Sequence, residues 1–198
     1  MLGQPIRNRQ TERREATRRE VLDAAWAVAH EKGLAQLTLR DVASRIGMQA
    51  PSLYSYFDSK NAIYDAMFGQ AWTDYLALVD KTEPTLPRDP RAALKAIART
   101  FFDYAVADLA RNQLMNLRTI PGFEPSAESY APAVEVLERG RAHLARLGVE
   151  DPDEFDLFVA LVGGLVDSQQ ANDPGGQRWA RLLDQAMDMF ADYVGLPK

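Results

Sequence analysis

The sequence predicts an all-α protein of about nine helices. Strand signals are nearly absent, since the chain has neither the Asn-Gly and Asp-Gly dipeptides of tight hairpins nor a sustained alternation of β-branched residues. Apolar residues recur instead at helical spacing through most of the chain. The composition, 46% hydrophobic and 26% charged over 198 residues, is that of an ordinary globular protein.

The first two helices are each bounded by recognisable signals. A helix over residues 11–32 is expected to stop at Gly33, a residue suited to a helix C-terminus. A short helix follows Thr38, whose hydroxyl can cap the free backbone N–H groups, and Asp41 completes a capping-box-like pattern. Gly47 ends this second helix.

The following elements are punctuated by proline and serine. A helix over residues 50–56 has Pro51 in its first turn, where a missing N–H costs nothing. Ser59 caps a long helix that reaches about Asp80, and residues 81–90, which contain three prolines, form a linker or loop. Further helices are expected near residues 90–110, 111–119, 128–147, 152–171 and 175–194.

The composition also excludes several classes of protein. The absence of cysteine excludes disulfides, zinc fingers and thiol catalysis. No apolar run reaches the ~18–20 residues of a membrane-spanning helix, and no apolar segment follows the basic N-terminal residues as it would in a secretory signal. We therefore expect a cytoplasmic protein with no membrane partner, no metal and no cofactor.

Residues 36–61 carry the most informative pattern, two short helices separated by Gly47 and about three residues, which is the spacing of a helix-turn-helix. Its apolar residues supply the buried side: Leu39, Val42, Ala43, Ile46, Met48, Leu53 and Phe57. The second helix leaves an uncharged face outward: Gln49, Ala50, Pro51, Ser52, Tyr54, Ser55 and Tyr56. Such a face suits the major groove of DNA, with Lys60 placed to meet a phosphate.

This segment resembles the DNA-binding domain of the TetR (tetracycline repressor) family over about residues 15–66. The residues that carry the resemblance are Thr38, Val42, Ala43, Gly47, Ser52, Leu53, Tyr54, Tyr56, Phe57 and Lys60, preceded by Val21, Leu22, Ala24, Ala25 and Gly33. The resemblance implies base-reading positions at Arg40, Ala50, Pro51, Ser52 and Ser55. It implies phosphate contacts at Thr38, Tyr54, Tyr56 and Lys60.

The net charge of −5 argues at first against a nucleic-acid partner. However, residues 1–70 carry 10 Lys and Arg against 8 Asp and Glu, and six of those arginines lie within residues 1–20. DNA binding needs a local basic face rather than a basic whole. A solvated helix start with a frayed basic tail accounts for such a cluster equally well.

The resemblance also implies a larger C-terminal domain that binds a small-molecule effector and dimerises. We therefore divide the chain into residues 1–65, a DNA-binding domain with a basic N-terminal tail, and residues 66–198, the effector-binding and dimerisation domain. For the effector, an apolar cavity with few polar groups is typical. The candidate residues are Phe101, Phe102, Tyr104, Met115, Arg118, Phe123, Tyr130, Phe158 and Asp167. Aromatic residues at this spacing also suit a simple core. His143 is one of the polar groups that could orient a ligand, although a surface position is the favoured interpretation for it.

The last two predicted helices fit the dimer role, because each shows more apolar surface than one neighbouring helix requires. Paired across a two-fold axis, they would form a four-helix bundle. The candidate interface residues are Phe155, Val159, Val162, Val166, Trp179, Leu182, Leu183, Ala186 and Phe190. The pair Gly163-Gly164 indicates the close approach of a facing helix, a ligand or a partner subunit. An ordinary monomer core is the alternative for both helices.

Together these features predict a transcriptional regulator that binds a pseudo-palindromic double-stranded DNA operator as a homodimer and is released by a small molecule. An enzyme is disfavoured, since the chain has two histidines and no P-loop, Gly-x-Ser-x-Gly or His-Glu-x-x-His motif. The other alternative is a helical adaptor whose helix-turn-helix has lost DNA binding.

Overall fold

A computed structural model describes residues 9–198, and within that range it contains nine α-helices and no strand. The helices are α1 (Arg9–Lys32), α2 (Leu39–Arg45), α3 (Ala50–Leu53), α4 (Lys60–Thr82), α5 (Pro90–Val106), α6 (Leu109–Asn116), α7 (Ala127–Leu147), α8 (Pro152–Asn172) and α9 (Leu183–Tyr193). The predicted all-α class is therefore confirmed. The start of the predicted basic tail, including Arg7, lies outside the described residues. No helix from residue 9 onward has the length and apolar character needed to cross a membrane.

Helices α1 to α4 form the first packed unit. The apolar spacing of α1 predicts an inner face of Val21, Leu22, Ala25, Val28 and Ala29. All of these except the half-buried Leu22 are buried, and Ala24 is buried with them. The buried Tyr64 of α4 ties this unit together, because its hydroxyl donates a 2.6 Å hydrogen bond to the carbonyl of Leu34 in the turn after α1. On the same two helices, Trp26 Nε1 donates to Gln70 Oε1 at 2.9 Å.

The turn between α2 and α3 is set by Gly47, whose φ of 68° lies in the left-handed region that a side chain disfavours. Next to it, the N–H of Met48 donates to the carbonyl of Ala43 at 2.9 Å, the bond that closes a Schellman-type helix end. Ala43 of α2 is 1% exposed, so the two helices cross at a small residue. Leu53 of α3 is 0% exposed and anchors that helix in the core.

Several predicted boundaries need correction. The α-helical part of α3 ends at Leu53 rather than Tyr56, and the following residues continue as single turns, with Tyr56 N bonded to the Leu53 carbonyl at 2.8 Å. Such tighter turns are common at helix ends. The helices predicted over 90–110 and 111–119 correspond to α5 and α6, but the break between them comes earlier than predicted. Asp108 lies in this break and caps α6 by accepting a hydrogen bond from the N–H of Arg111.

Helix α4 is continuous across the boundary predicted at residue 65 and contributes to the core of both halves. It packs along α7 and against α1 and α6. A second core lies beyond it, where α5, α8 and α9 meet around Leu94, Phe102, Val162 and Phe190. The last helix of the first half therefore also forms a wall of the second.

The predicted helix over 175–194 starts later than expected. Gln169, on the buried face of α8, accepts hydrogen bonds from the N–H groups of Trp179 and Ala180 at 2.8 and 3.1 Å. Asp173 caps the same turn by accepting from the N–H of Arg178 at 2.8 Å. These bonds hold residues 173–179 in a turn, so that α9 begins only at Leu183, after a short 3₁₀ segment, Ala180–Leu182.

Candidate nucleic-acid interface and internal cavity

The ten residues predicted to contact DNA lie at the start of α2, on α3 and its following turn, and at the start of α4. Seven of these side chains are exposed: Thr38, Arg40, Gln49, Pro51, Ser52, Tyr54 and Ser55. Ala50, Tyr56 and Lys60 are half-buried. Tyr54 stands out, because 56% of this large aromatic residue is exposed while Leu53 beside it is fully buried. Gln49 to Tyr56 thus present an uncharged polar and aromatic surface on a firmly packed base, with Arg40 and Lys60 on the neighbouring helices.

The hydroxyl of Thr38 is already engaged within the chain. It accepts from the N–H of Asp41 at 3.1 Å and donates to Asp41 Oδ2 at 2.7 Å. Lys32 completes the group by donating to Asp41 Oδ1 at 2.8 Å. These hydrogen bonds, the one from Lys32 first, hold the pKa of Asp41 below its usual value. A phosphate contact at Thr38 would therefore have to share a hydroxyl that caps α2.

Two arginines of α1 were missed as part of the site. Arg18 donates to the backbone carbonyl of Tyr56, and its guanidinium carbon lies 4.2 Å from the centre of the Phe57 ring. Arg14 lies 5.7 Å from the centre of the Tyr56 ring. The sequence offered only an arginine cluster, which suggested a basic tail. In the fold, Arg18 instead holds Tyr56, at the end of the predicted reading surface, against α1.

Lys60 is placed beside the same segment at the first position of α4. Ser59 caps that helix by accepting from the N–H of Ala62 at 3.1 Å. The Lys60 ammonium lies 5.4 Å from the centre of the Tyr64 ring. A lysine at a capped helix N-terminus, next to free backbone N–H groups, is suited to contact a phosphate.

Comparison with known proteins agrees with this geometry. Residues 21–67 match the family described as "Bacterial regulatory proteins, tetR family". The chain is also 30% identical to the HTH-type transcriptional regulator BetI of Burkholderia ambifaria over 80% of its own length and 89% of the relative's. The chain belongs to the TetR family. It is therefore a DNA-binding transcriptional regulator and not an enzyme.

Further relatives of this TetR-family chain extend the match beyond the helix-turn-helix. The tetracycline repressor protein class A from transposon 1721 of Escherichia coli is 27% identical over 86% of this chain and 79% of its own. A TetR-family transcriptional regulator from Bordetella parapertussis has the same fold, with a TM-score of 0.66 at 18% identity, covering 93% of this chain and 99% of that one.

The second half of this TetR-family regulator has a partly open cavity of about 150 Å³ between α4, α5, α7 and α8. Its walls are largely apolar: Trp72, Tyr75, Val79, Leu86, Ile97, Phe101, Val136, Leu137, Gly140, Phe155, Phe158, Val159 and Val162. The polar residues on its surface are Thr82, Glu83, Thr100, Asn116 and His143. Gly140 lets α7 approach α8, since a Cβ there would lie 3.3 Å from the Phe155 ring.

Of the nine residues predicted for the effector site, the structure brings only Phe101 and Phe158 to this cavity. Phe102 and Met115 lie in the two cores, and Tyr104 donates its hydroxyl to the carbonyl of Ala71. Phe123 packs on Tyr64. The remaining three, Arg118, Tyr130 and Asp167, are exposed on the surface. Helical spacing alone did not separate the face of α5 that carries Phe101 from the one that carries Phe102.

The cavity also contains residues outside the nine predicted for the effector site. His143, interpreted as a surface residue, has a side chain only 13% exposed and lies on the cavity wall, 3.0 Å from Glu83. Trp72 and Tyr75 are buried in the same wall. Their spacing of three residues along α4 was a usable signal, because it places both on one face of the helix.

The nine predicted dimer-interface residues divide by burial. Five of them, Phe155, Val162, Val166, Leu183 and Phe190, are covered within one chain and belong to its own core. Val159 is 42% exposed but also lines the cavity. Trp179, Leu182 and Ala186 are half-buried. The prediction selected the faces of α8 and α9 that pack on each other and on α5. Those faces are more hydrophobic than the outward faces of the same two helices.

Proposed function

We propose that this TetR-family protein is a homodimeric repressor that binds a pseudo-palindromic operator and leaves it when a small molecule occupies the cavity. The observation that carries the proposal is the exposed reading surface, Gln49 to Tyr56, held by Arg18 and flanked by Lys60. The name of the tetracycline repressor describes that relative as a repressor. In the proposed dimer, two such surfaces enter successive major grooves about 34 Å apart.

Outward stripes on the last two helices support the dimer. On α8, Leu157 is 39% exposed and is followed at helical spacing by Leu161, Gly164 and Ser168. On α9, Met189 and Tyr193 are 66% and 70% exposed and continue the line of Leu182 and Ala186. Each helix therefore has apolar residues on a face that the core of its own chain covers only in part. Two such pairs of helices, related by a two-fold axis, would bury both stripes in a four-helix bundle.

The glycine pair in α8 favours the same surface. A Cβ added at Gly163 or Gly164 would have no heavy atom of the described chain within 4 Å, and neither glycine lines the cavity. Each glycine weakens the helix by about 1 kcal/mol relative to alanine. A facing helix of the same chain does not explain why glycine stands at these two positions. Close approach of a partner subunit is the explanation that remains from the sequence-based alternatives.

Helix α4 supports a link between the cavity and DNA. It carries Lys60 at one end and Trp72, Tyr75 and Thr82 on the cavity wall. A second connection runs from α1 to α6, where His30 Nε2 lies 2.8 Å from Asp108 Oδ2 at the cap of α6. A ligand that shifts α4 or α6 would change how the reading surface is held. Such a ligand weakens DNA binding only by as much as its own affinity differs between the conformation that binds DNA and the one that does not.

DNA binding is tested with the protein's own upstream region, by fluorescence anisotropy over a range of salt concentrations. Lys60→Ala is expected to reduce the slope of log affinity against log salt by about one, because one phosphate contact is lost. Tyr54→Ala is expected to weaken binding about fivefold to tenfold. Lys81→Ala is the matched control, since Lys81 is an exposed lysine at the far end of the same helix.

The result that contradicts the docking surface is an unchanged affinity and salt dependence in both Lys60→Ala and Tyr54→Ala. Equal losses in Lys60→Ala and Lys81→Ala would contradict it as well, since they would indicate an unspecific effect of charge. Failure of the wild-type protein to bind any fragment of its upstream region would favour the helical adaptor instead.

A further inference from the structure

The residues that line the cavity follow one face of α4 for three turns. Trp72, Tyr75, Val79 and Thr82 stand at intervals of three or four residues, which places them on one side of the helix, and Glu83 ends the series. At the helical rise of ~1.5 Å per residue, Trp72 and Glu83 are about 16 Å apart along the axis. The cavity is therefore extended along this helix.

Helix α7 forms a second long wall, because it runs beside α4 in the same direction. Near one end of the pair, Gly69 of α4 lies against Ser129 of α7. Toward the other end, Glu83 lies 3.0 Å from His143. The cavity residues of α7 extend from Val136 to His143, which is two turns or about 10 Å.

Helix α8 forms the third long wall and runs antiparallel to α7. The Phe155 ring, at the start of α8, lies beside Gly140, in the second half of α7. From there the cavity residues of α8 extend to Val162, again over two turns or about 10 Å. Three helices thus line one cavity lengthwise, with Glu83 and His143 at one end and Trp72 and Val162 at the other.

The cavity is narrow for its length. A volume of about 150 Å³ spread over roughly 10–16 Å corresponds to a mean cross-section of roughly 10–15 Å². A single file of methylene groups, whose carbons stand about 4 Å from their neighbours at van der Waals contact, fills such a cross-section. A ring is wider than one such file. The dimensions therefore suit an unbranched chain better than a ring.

The charged groups at the Glu83 end are paired with one another. His143 Nε2 lies 3.0 Å from Glu83 Oε1, and the same carboxylate faces Arg146 at 3.5 Å and Arg139 at 3.9 Å. Arg139 also pairs with Asp80. An anionic ligand would compete with Glu83 for these cations, and a cationic ligand would compete with the cations for Glu83. Burial of a further net charge among these side chains would be costly.

We propose that the ligand of this cavity is an uncharged molecule with an unbranched aliphatic chain, which lies along α4 between Trp72 and Glu83. The inference rests on the proposed function in one respect, that this cavity is the effector site. It adds the chemical class of the effector and the way it lies in the fold.

The test measures binding of three uncharged alcohols to the full chain without DNA, by isothermal titration calorimetry. The probe n-octanol is expected to bind about tenfold more tightly than n-hexanol, because it buries two further methylene groups. Cyclooctanol has the same number of carbons as n-octanol but closes them into a ring. It is expected to bind about tenfold more weakly than n-octanol, because the wider ring overpacks the walls.

Two charged probes keep the chain and change its polar end. Octanoate is an anion and n-octylammonium is a cation at neutral pH. Both are expected to bind more weakly than n-octanol, since each would have to displace one side of the ion pairs around Glu83.

Variants of Val79, which lies midway along the cavity wall of α4, test the position of the chain. Val79→Phe is expected to weaken n-octanol binding at least tenfold, because the ring obstructs the middle of the cavity. Val79→Ala widens the same point and is expected to reduce the preference for n-octanol over cyclooctanol. Val134→Phe is the matched control, since Val134 is 39% exposed on α7 and does not line the cavity. That control is expected to bind n-octanol as the wild type does.

Several results overturn the proposal: equal affinity for n-hexanol and n-octanol, cyclooctanol binding as tightly as n-octanol, tightest binding of a charged probe, no binding of any probe, or Val79 variants that behave as the wild type. The proposed function fails separately. If n-octanol binds with these preferences but leaves the operator complex intact, the ligand class stands and release by ligand is wrong. If cyclooctanol or a charged probe releases the operator while n-octanol does not bind, the reverse holds.

Discussion

The proposed DNA-reading segment and the cavity are assembled in different ways. The reading segment is nearly continuous in sequence, from Thr38 to Lys60, and its caps, its turn glycine and its buried leucine are all local features. The cavity draws its walls from helices that lie between Trp72 and Val162. Local chemistry thus determines the first, whereas the packing of distant helices determines the second. The two regions should respond differently to substitution, and four predictions use that difference.

The largest effect is expected from Phe102→Ala in the second half. Phe102 is 0% exposed in a tightly packed core, so its truncation should reduce the free energy of unfolding by about 3–5 kcal/mol. Phe101→Ala, one residue earlier on the cavity wall, should cost clearly less, because that ring already borders empty space. Urea denaturation of both variants measures the difference. Equal losses would contradict the division of α5 into a core face and a cavity face.

This pair of neighbours also shows what the sequence can predict here. The helix-turn-helix was predicted at residue level because a threonine cap, a positive-φ glycine and a lysine at fixed spacing constrain one short segment. The sequence did not predict which face of α5 borders the cavity, because each face has aromatic residues. Only the positions of α4, α7 and α8 decide which of the two faces meets the cavity. Likewise, the late start of α9 depends on Gln169, a side chain buried on another helix.

The next effect is expected in the first half, at Arg18. Arg18→Ala removes the hydrogen bond to the carbonyl of Tyr56 and the stacking on Phe57, which together should cost about 2 kcal/mol of stability. It should also weaken DNA binding, because the end of the reading segment is no longer held against α1. Arg19→Ala, on the exposed side of the same helix, carries the same charge change and should alter stability little. Thermal unfolding and anisotropy measure the two effects.

This explanation of Arg18 would be contradicted if the Arg19→Ala variant lost as much DNA affinity as the Arg18→Ala variant while the two variants were equally stable. In that case the arginines act through their charge toward DNA, and the hold on Tyr56 is unimportant. Arg18→Lys provides a further distinction, because lysine keeps the charge but lacks the planar group that stacks on Phe57.

A smaller effect, of opposite sign for folding and for assembly, is expected at Gly164. Gly164→Ala meets open space within the chain and should stabilise α8 by up to about 1 kcal/mol. On the proposed stripe it should weaken the dimer, because a methyl group would separate the two subunits. Sedimentation equilibrium and thermal unfolding separate these outcomes. Gly163→Ala is the control, with equally open space beside the stripe. Unchanged dimer affinity in Gly164→Ala would exclude a partner at this glycine.

The smallest effects are expected from two carboxylates whose pKa values are shifted in opposite directions, Asp41 in the first half of the chain and Asp74 in the second. The pKa of Asp41 is lowered by its hydrogen bonds with Lys32 and Thr38, so its stabilising contribution is complete above pH 3.8 and is lost as the pH falls through the lowered value. Asp41→Asn should therefore reduce the melting temperature at neutral pH, and the deficit should shrink in acid.

Asp74 on α4 should show the opposite dependence. Burial raises its pKa above 3.8, although Arg111 opposes the shift, so the fold disfavours the ionised carboxylate. Asp74→Asn should then raise the melting temperature slightly at neutral pH, and this gain should disappear as the pH falls and the wild-type carboxyl is protonated. Melting curves of the two variants and the wild type, from neutral pH down to about pH 3, measure both trends. Parallel curves for the two variants would contradict the contrast, since hydrogen bonds lower the pKa of Asp41 whereas desolvation raises that of Asp74.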